Sequence, residues 1–162
     1  MPVFRKGDMN AIDRSSLAAA LFLGLAATLA QAEIVNVSSD QLRALIERGT
    51  PIVDVRTAGE WRQTGVVKGS QLITLIDEQG RADPAAWKHQ IDKVAGDGKP
   101  VILICRSGNR SGQAAQILDQ AGHKGTIYNV KAGISGWMRD GQSVVSVQEH
   151  RKQAGLVCSP GC

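Results

Sequence analysis

The sequence predicts an α/β fold with a central, mainly parallel five-stranded sheet, and three observations point to it. After the first 32 residues, short β-branched runs alternate with stretches of helical period. One run, VILIC at 101–105, is apolar throughout, as a parallel strand covered on both faces should be. Helix starts and glycine stops punctuate the runs in the order that crossover helices need.

The first expected strand is IVNV at 34–37. A helix should follow over 39–48, because Ser38 with Gln41 three positions on makes a capping box and Gly49 ends it. PIVDV at 51–55 is the second strand. Thr57 and Glu60 form another capping box and open a short helix, after which Gly65 and Gly69 bracket the turn into a third strand at 71–75. Asp77 to Asp83 reads as a polar loop. Asp83 then caps a helix with Pro84 at its first position and Trp87, Ile91 and Val94 on one face, and Gly96 and Gly98 end it. VILIC is the fourth strand and the expected centre of the sheet. RSGNRSG runs from it into the helical pattern AAQILDQAG, and TIYNV at 126–130 is the fifth strand. KAGISGW reads as a glycine-broken loop. From about Val147 the pattern fades into a tail.

The leading residues read as a secretory signal. Leu17 to Ala30 carries no charge, follows Arg5, Lys6 and Arg14, and precedes Ala30-Gln31-Ala32, a small-x-small cleavage site. The run is shorter than the roughly 20 apolar residues of a membrane span, so no stable anchor is expected after cleavage behind Ala32. The lead is long and holds Asp8 and Asp13, so Met9 is an alternative start. No arginine pair precedes the apolar run and no cysteine lies at the cleavage site, which leaves the general route to the periplasm. The expected organisation is a signal peptide at 1–32, one domain at 33–146 and a tail at 147–162. The net charge of +4 falls to +3 with the leader, and the basic residues are scattered, so no nucleic acid partner is expected. Of the three cysteines, Cys158 and Cys162 form a candidate disulfide closing a very short loop, which would add little stability. Cys105 stands apart.

Cys105 sits at the carboxyl end of the expected central strand, where open α/β sheets bind ligands. Ser107, Gly108 and Asn109 turn tightly, so the loop Arg106 to Ser111 can curl its backbone N–H groups around the sulfur ahead of a helix. Such a nest, with Arg106 and Arg110 nearby, favours a thiolate, and a thiolate in a cationic cradle attacks an anionic sulfur donor. A cysteine ending a buried strand is often only a small apolar filler. Glycine and two arginines, however, have no packing reason to follow a core strand.

Cys105 to Ser111 resembles the active-site loop of the rhodanese family, in which a cysteine begins a six-residue loop between the fourth strand and a helix. DVRTAGEWRQTGVVKGSQLI, Asp54 to Ile73, is similar to the family's upstream motif of Asp-x-Arg, Glu-aromatic and a Gly-x-x-x-Gly turn. KAGISGW, through Trp137, resembles its final motif, so the likeness spans roughly Ile34 to Val145. The chain departs from the family in carrying Val66 and Lys68 where histidine and proline are frequent. The resemblance implies a rhodanese-like three-layer fold and a persulfide carried on Cys105. It matches Arg106, Ser107, Gly108, Asn109, Arg110 and Ser111 to the loop that holds the substrate. The implied partners are a small anionic sulfur donor and a thiol, cyanide or protein acceptor, and Arg106 directly after the cysteine resembles the thiosulfate-using members.

The remaining candidates have simpler expected roles. Glu60 caps a helix, and Asp54 with Arg56 forms an ion pair that steadies loops. Trp61, Trp87 and Trp137 are anchors. His89, His123 and His150 lack ligand spacing, so no metal is expected, and no cofactor is implied. Two other functions compete. A cysteine-dependent phosphatase wants arginine six positions after its cysteine, where this chain has Ser111, and often a histidine before it, where this chain has Ile104. A persulfide-delivery or thiol-redox module would pass sulfur to a partner protein, with Cys158 or Cys162 as a resolving thiol.

Overall fold

The computed structural model describes residues 32–96, 98–153 and 155. Its sheet has five strands in the order β1-β5-β4-β2-β3, every neighbouring pair parallel. The strands are β1 (Ile34–Val37), β2 (Ile52–Asp54), β3 (Gln71–Leu72), β4 (Val101–Ile104) and β5 (Ile127–Val130). The helices are α1 (Ser39–Glu47), α2 (Ala58–Thr64), α3 (Pro84–Val94), α4 (Asn109–Gln120), α5 (Gly133–Arg139) and α6 (Val147–Gln153).

The layers follow from the two-residue period of β4. Val101, Leu103 and Cys105 pack with Trp87 and Ile91 of α3 and with Ala114, Ala115 and Leu118 of α4. Ile102 and Ile104 point the other way, onto Leu42 and Leu45 of α1 and Ile134 and Trp137 of α5. A strand buried on both faces has no place for a polar residue, which is why VILI is continuous. The chain moves outward from β2 to the edge strand β3 and in the opposite direction from β4 to β5, so the loops after β2 and β4 part between these two strands. That switch point is where such sheets open a crevice.

Both expected capping boxes form, at Ser38 with Gln41 and at Thr57 with Glu60, and Asp83 accepts from the Ala86 N–H as the cap of α3. Asp54 and Arg56 make the expected ion pair, at 2.6 Å, with both side chains buried.

Three segments differ from expectation. KAGISGW is not a loop: its residues from Gly133 on form α5, although no side chain caps its start. Glycine weakens a helix alone, but here tertiary burial of Ile134 and Trp137 compensates. The segment read as tail begins with α6, and Val147 is buried, delivered there by an antiparallel bridge between Val66 and Val145. Strand β3 is shorter than the expected 71–75, yet the N–H groups of Ile73 and Leu75 still reach the carbonyls of Asp54 and Val55. The expected signal peptide and the Cys158–Cys162 pair lie outside the described residues.

Candidate active site

Cys105 follows the last residue of β4 and is 1 % exposed. The chain then turns sharply: Gly108 has φ 93 and ψ −16 and is the N-cap of α4. This left-handed geometry suits glycine, and the space requires it, because a Cβ here would stand 2.0 Å from the carbonyl oxygen of Lys131. The turn brings the Gly108 N–H to 3.1 Å from Cys105 Sγ, so the amide donates to the sulfur. Ser111 Oγ, in the first turn of α4, lies 3.4 Å from the same atom.

The loop is held from below. The N–H groups of Ile134 and Ser135 donate to the carbonyls of Cys105 and Arg106 at 2.8 and 3.1 Å. Gly133, at φ 59, lies so close that a Cβ would meet the Arg106 backbone at 2.4 Å. Backbone therefore packs directly on backbone, and the start of α5 fixes the carbonyl side of the loop. On its other side, the amides of Arg106, Ser107, Asn109, Arg110 and Ser111 donate to no acceptor among the described residues. Three of these open α4, whose partial positive charge favours an anion.

The structure sorts the expected site residues. Cys105, Gly108 and Ser111 are buried together, whereas Arg106, Ser107 and Asn109 are exposed. Arg110 is half-buried, and its guanidinium lies against the carboxylate of Glu60, with Nη1 and Nη2 donating to Oε2 and Oε1 at 2.7 and 2.5 Å. This pair spans the crevice between the β2 and β4 loops. The Arg110 hydrogen bond, aided by the Thr57 N–H, holds the Glu60 carboxyl down to about 2 against the desolvation that would raise it. Glu60 in turn pushes Arg110 above its ordinary value, with Cys105 and Asp54 adding to the effect. Glu60 thus does more than cap α2: it orients the loop's second arginine.

Below the crevice, Arg56 bonds Asp54 through Nε and Nη2, the Thr64 hydroxyl through Nη1 at 2.6 Å and the Gly65 carbonyl through Nη2 at 2.8 Å. Four of that guanidinium's five N–H groups are engaged by Asp54 of β2 and by Thr64 and Gly65 at the end of α2, a structural role.

Sequence reasoning missed one residue beside the sulfur. Asn129 of β5 is paired in register with Leu103, so its side chain lies on the same face as Cys105. Its Oδ1 accepts from Ser111 Oγ at 2.7 Å, and its Nδ2 donates to Asn36 Oδ1 of β1 at 2.8 Å. The available signal was a carboxamide inside the otherwise apolar and aromatic run IYNV.

A groove of about 720 Å³ lies between α2, the turn into β3 and α6, lined by Trp61, Arg62, Lys68, His150 and Arg151 among others and by no residue of the cysteine loop. Trp61 Nε1 is buried there without a hydrogen-bond partner among the described residues.

A sequence profile of the rhodanese-like domain matches residues 38–140. Thiosulfate sulfurtransferase 18 of Arabidopsis thaliana is 28% identical over 126 residues, covering 75% of this chain and 90% of that protein. A sulfurtransferase of Allochromatium vinosum is 42% identical over 96 residues, covering 59% and 78%. Among solved structures, Rv0390 from M. tuberculosis superposes with a TM-score of 0.57 at 25% identity, over 68% of this chain and 96% of that one.

Proposed function

The chain belongs to the rhodanese-like domain family, and on that premise we propose that it is a sulfurtransferase that moves a sulfane sulfur from a thiosulfate-like donor through a Cys105 persulfide. The observation that carries this reading is the sulfur's setting: Cys105 Sγ accepts the Gly108 N–H at the N-terminus of α4, with five further loop amides lacking an acceptor among the described residues. A structural filler cysteine needs none of this.

The chemistry balances in two steps. The Cys105 thiolate attacks the outer sulfur of the donor; the new S–S bond forms as the donor's own S–S bond breaks, and sulfite leaves with the bonding pair. An acceptor thiolate or cyanide then attacks the outer sulfur of the persulfide and returns Cys105 as thiolate. The first turn of α4 and the exposed guanidinium of Arg106 offset the donor's charge. With Sγ nearly enclosed, attack suits a slender donor that presents its terminal sulfur end-on.

A phosphate ester is the weaker substrate. Six positions after the cysteine stands Ser111, not arginine, and Arg110 is engaged by Glu60. A protein thiol is the alternative acceptor for the same persulfide. The signal-like leader supports a periplasmic location; cleavage after Ala32 would keep the Glu33 carbonyl that accepts from the Ile127 N–H and remove the Ala32 N–H that donates to Asp119.

Intact-mass spectrometry after incubation with thiosulfate tests the assignment. One added sulfur is expected on the wild type and none on Cys105→Ser; a mass shift that survives the substitution overturns it. Parallel incubations with mercaptopyruvate and an aryl phosphate rank the alternatives. N-terminal sequencing of protein from a periplasmic fraction tests export.

A further inference from the structure

We propose that Asn129 is a positioning residue that competes with Cys105 for the single proton of the Ser111 hydroxyl, and so sets how readily the sulfur becomes anionic. The inference rests on Cys105 being the reactive thiol. A serine hydroxyl has one hydrogen to give. Ser111 Oγ is fully buried and has three acceptors in reach: Asn129 Oδ1 at 2.7 Å, the Gly108 carbonyl at 3.2 Å and Cys105 Sγ at 3.4 Å. The first is the ordinary O–H···O length, so the proton goes to Asn129. The orientation of that amide is fixed in turn, because its Nδ2 donates to Asn36 Oδ1 and leaves Oδ1 facing Ser111.

With its proton on Asn129, Ser111 turns oxygen lone pairs toward the sulfur. That setting suits a neutral thiol, which can donate to Oγ, and opposes a thiolate. When the sulfur is anionic, the hydroxyl rotates to donate to it and gives up the Asn129 bond. Two hydrogen-bond settings therefore accompany the two charge states of Cys105, and Asn129 favours the neutral one. The charged groups on the surrounding elements are Asp54 and Arg56 at the end of β2, Glu60 of α2, Arg106 in the loop and Arg110 of α4, and of these Arg110 is coupled electrostatically to Cys105. None of them hydrogen-bonds to Asn129, so its removal changes the hydroxyl's choice and leaves their pairing alone.

The test is the pH dependence of Cys105 alkylation by iodoacetamide, a neutral probe that needs no sulfur donor. It is measured on the full chain and on Asn129→Leu, Ser111→Ala and the double variant, with Cys158→Ser and Cys162→Ser in every background. Asn129→Val, β-branched and at home in a strand, is a second variant should leucine not fit. Removing Asn129's acceptor is expected to raise alkylation about threefold to tenfold on the acid limb, moving the midpoint down by roughly half to one pH unit. In the Ser111→Ala background the same change should move nothing. An unmoved midpoint in Asn129→Leu and Asn129→Val, or an equal shift without Ser111, overturns the proposal. A failure to accept sulfur from thiosulfate would instead sink the enzymatic reading and leave this result standing.

Discussion

Glu60 and Arg110, fifty residues apart in sequence, meet across the mouth of the sheet through two parallel hydrogen bonds of 2.5 and 2.7 Å. Glu60 comes from the helix after β2 and Arg110 from the helix after β4, so the pair ties the two loops that part at the switch point.

The pair makes stability fall in acid. Glu60 titrates at about 2 in the folded protein against 4.5 ordinarily, so its contribution is complete above pH 4.5 and is lost as pH drops from there toward 2. Each pH unit of depression corresponds to about 1.4 kcal/mol, and solvent around a quarter-exposed pair reduces the net worth to roughly 1–2 kcal/mol. Urea unfolding of Glu60→Gln should show this loss at pH 7 and a flatter dependence on pH between 4.5 and 2.5. An unchanged slope would remove Glu60 from the account.

Arg106 and Arg110 should separate kinetically. Arg106 is exposed and has no side-chain hydrogen bond to a described residue, so Arg106→Ala should change stability by less than about 0.5 kcal/mol. It should raise the KM for thiosulfate roughly threefold to tenfold, an effect that added salt narrows. Arg110→Ala should lower both stability and kcat/KM, since it also frees Glu60. Steady-state kinetics at two ionic strengths distinguish these patterns.

Gly108→Ala should cost roughly 2–4 kcal/mol, from the left-handed backbone and the collision with Lys131. The Gly108 N–H would also leave Sγ, so sulfur loading should fall more than the folded fraction does. Thermal unfolding alongside the mass assay checks both parts.

Asp54→Ala leaves the Arg56 guanidinium buried without its counter-charge and should destabilise by about 3–5 kcal/mol. Denaturant titration measures it. A loss below 1 kcal/mol would show that Thr64 and Gly65 alone suffice for Arg56.

Most of this fold was legible because its signals are local. Capping at Ser38, Thr57 and Asp83 needs only neighbouring residues, and the continuous VILI run announces a strand covered twice. What escaped was non-local. Helix α5 has two glycines and no side-chain cap, and exists because Ile134 and Trp137 are buried against strands far earlier in the chain. The Glu60–Arg110 pair and the Asn129–Ser111 contact link residues with no periodic relation. Cys105 and its loop were found because glycine and arginine after an apolar strand make poor packing sense; Asn129 was passed over because one carboxamide in a strand does not.

The clamp that α5 places on the carbonyls of Cys105 and Arg106 also orders events during synthesis. A nascent chain that has emerged only as far as Gln120 contains every residue of the cysteine loop and nothing of the platform beneath it. Until Ile134 and Ser135 arrive, the loop lacks the two hydrogen bonds that fix its carbonyls. Chemistry that depends on this platform should therefore appear only after β5 and α5 have been made.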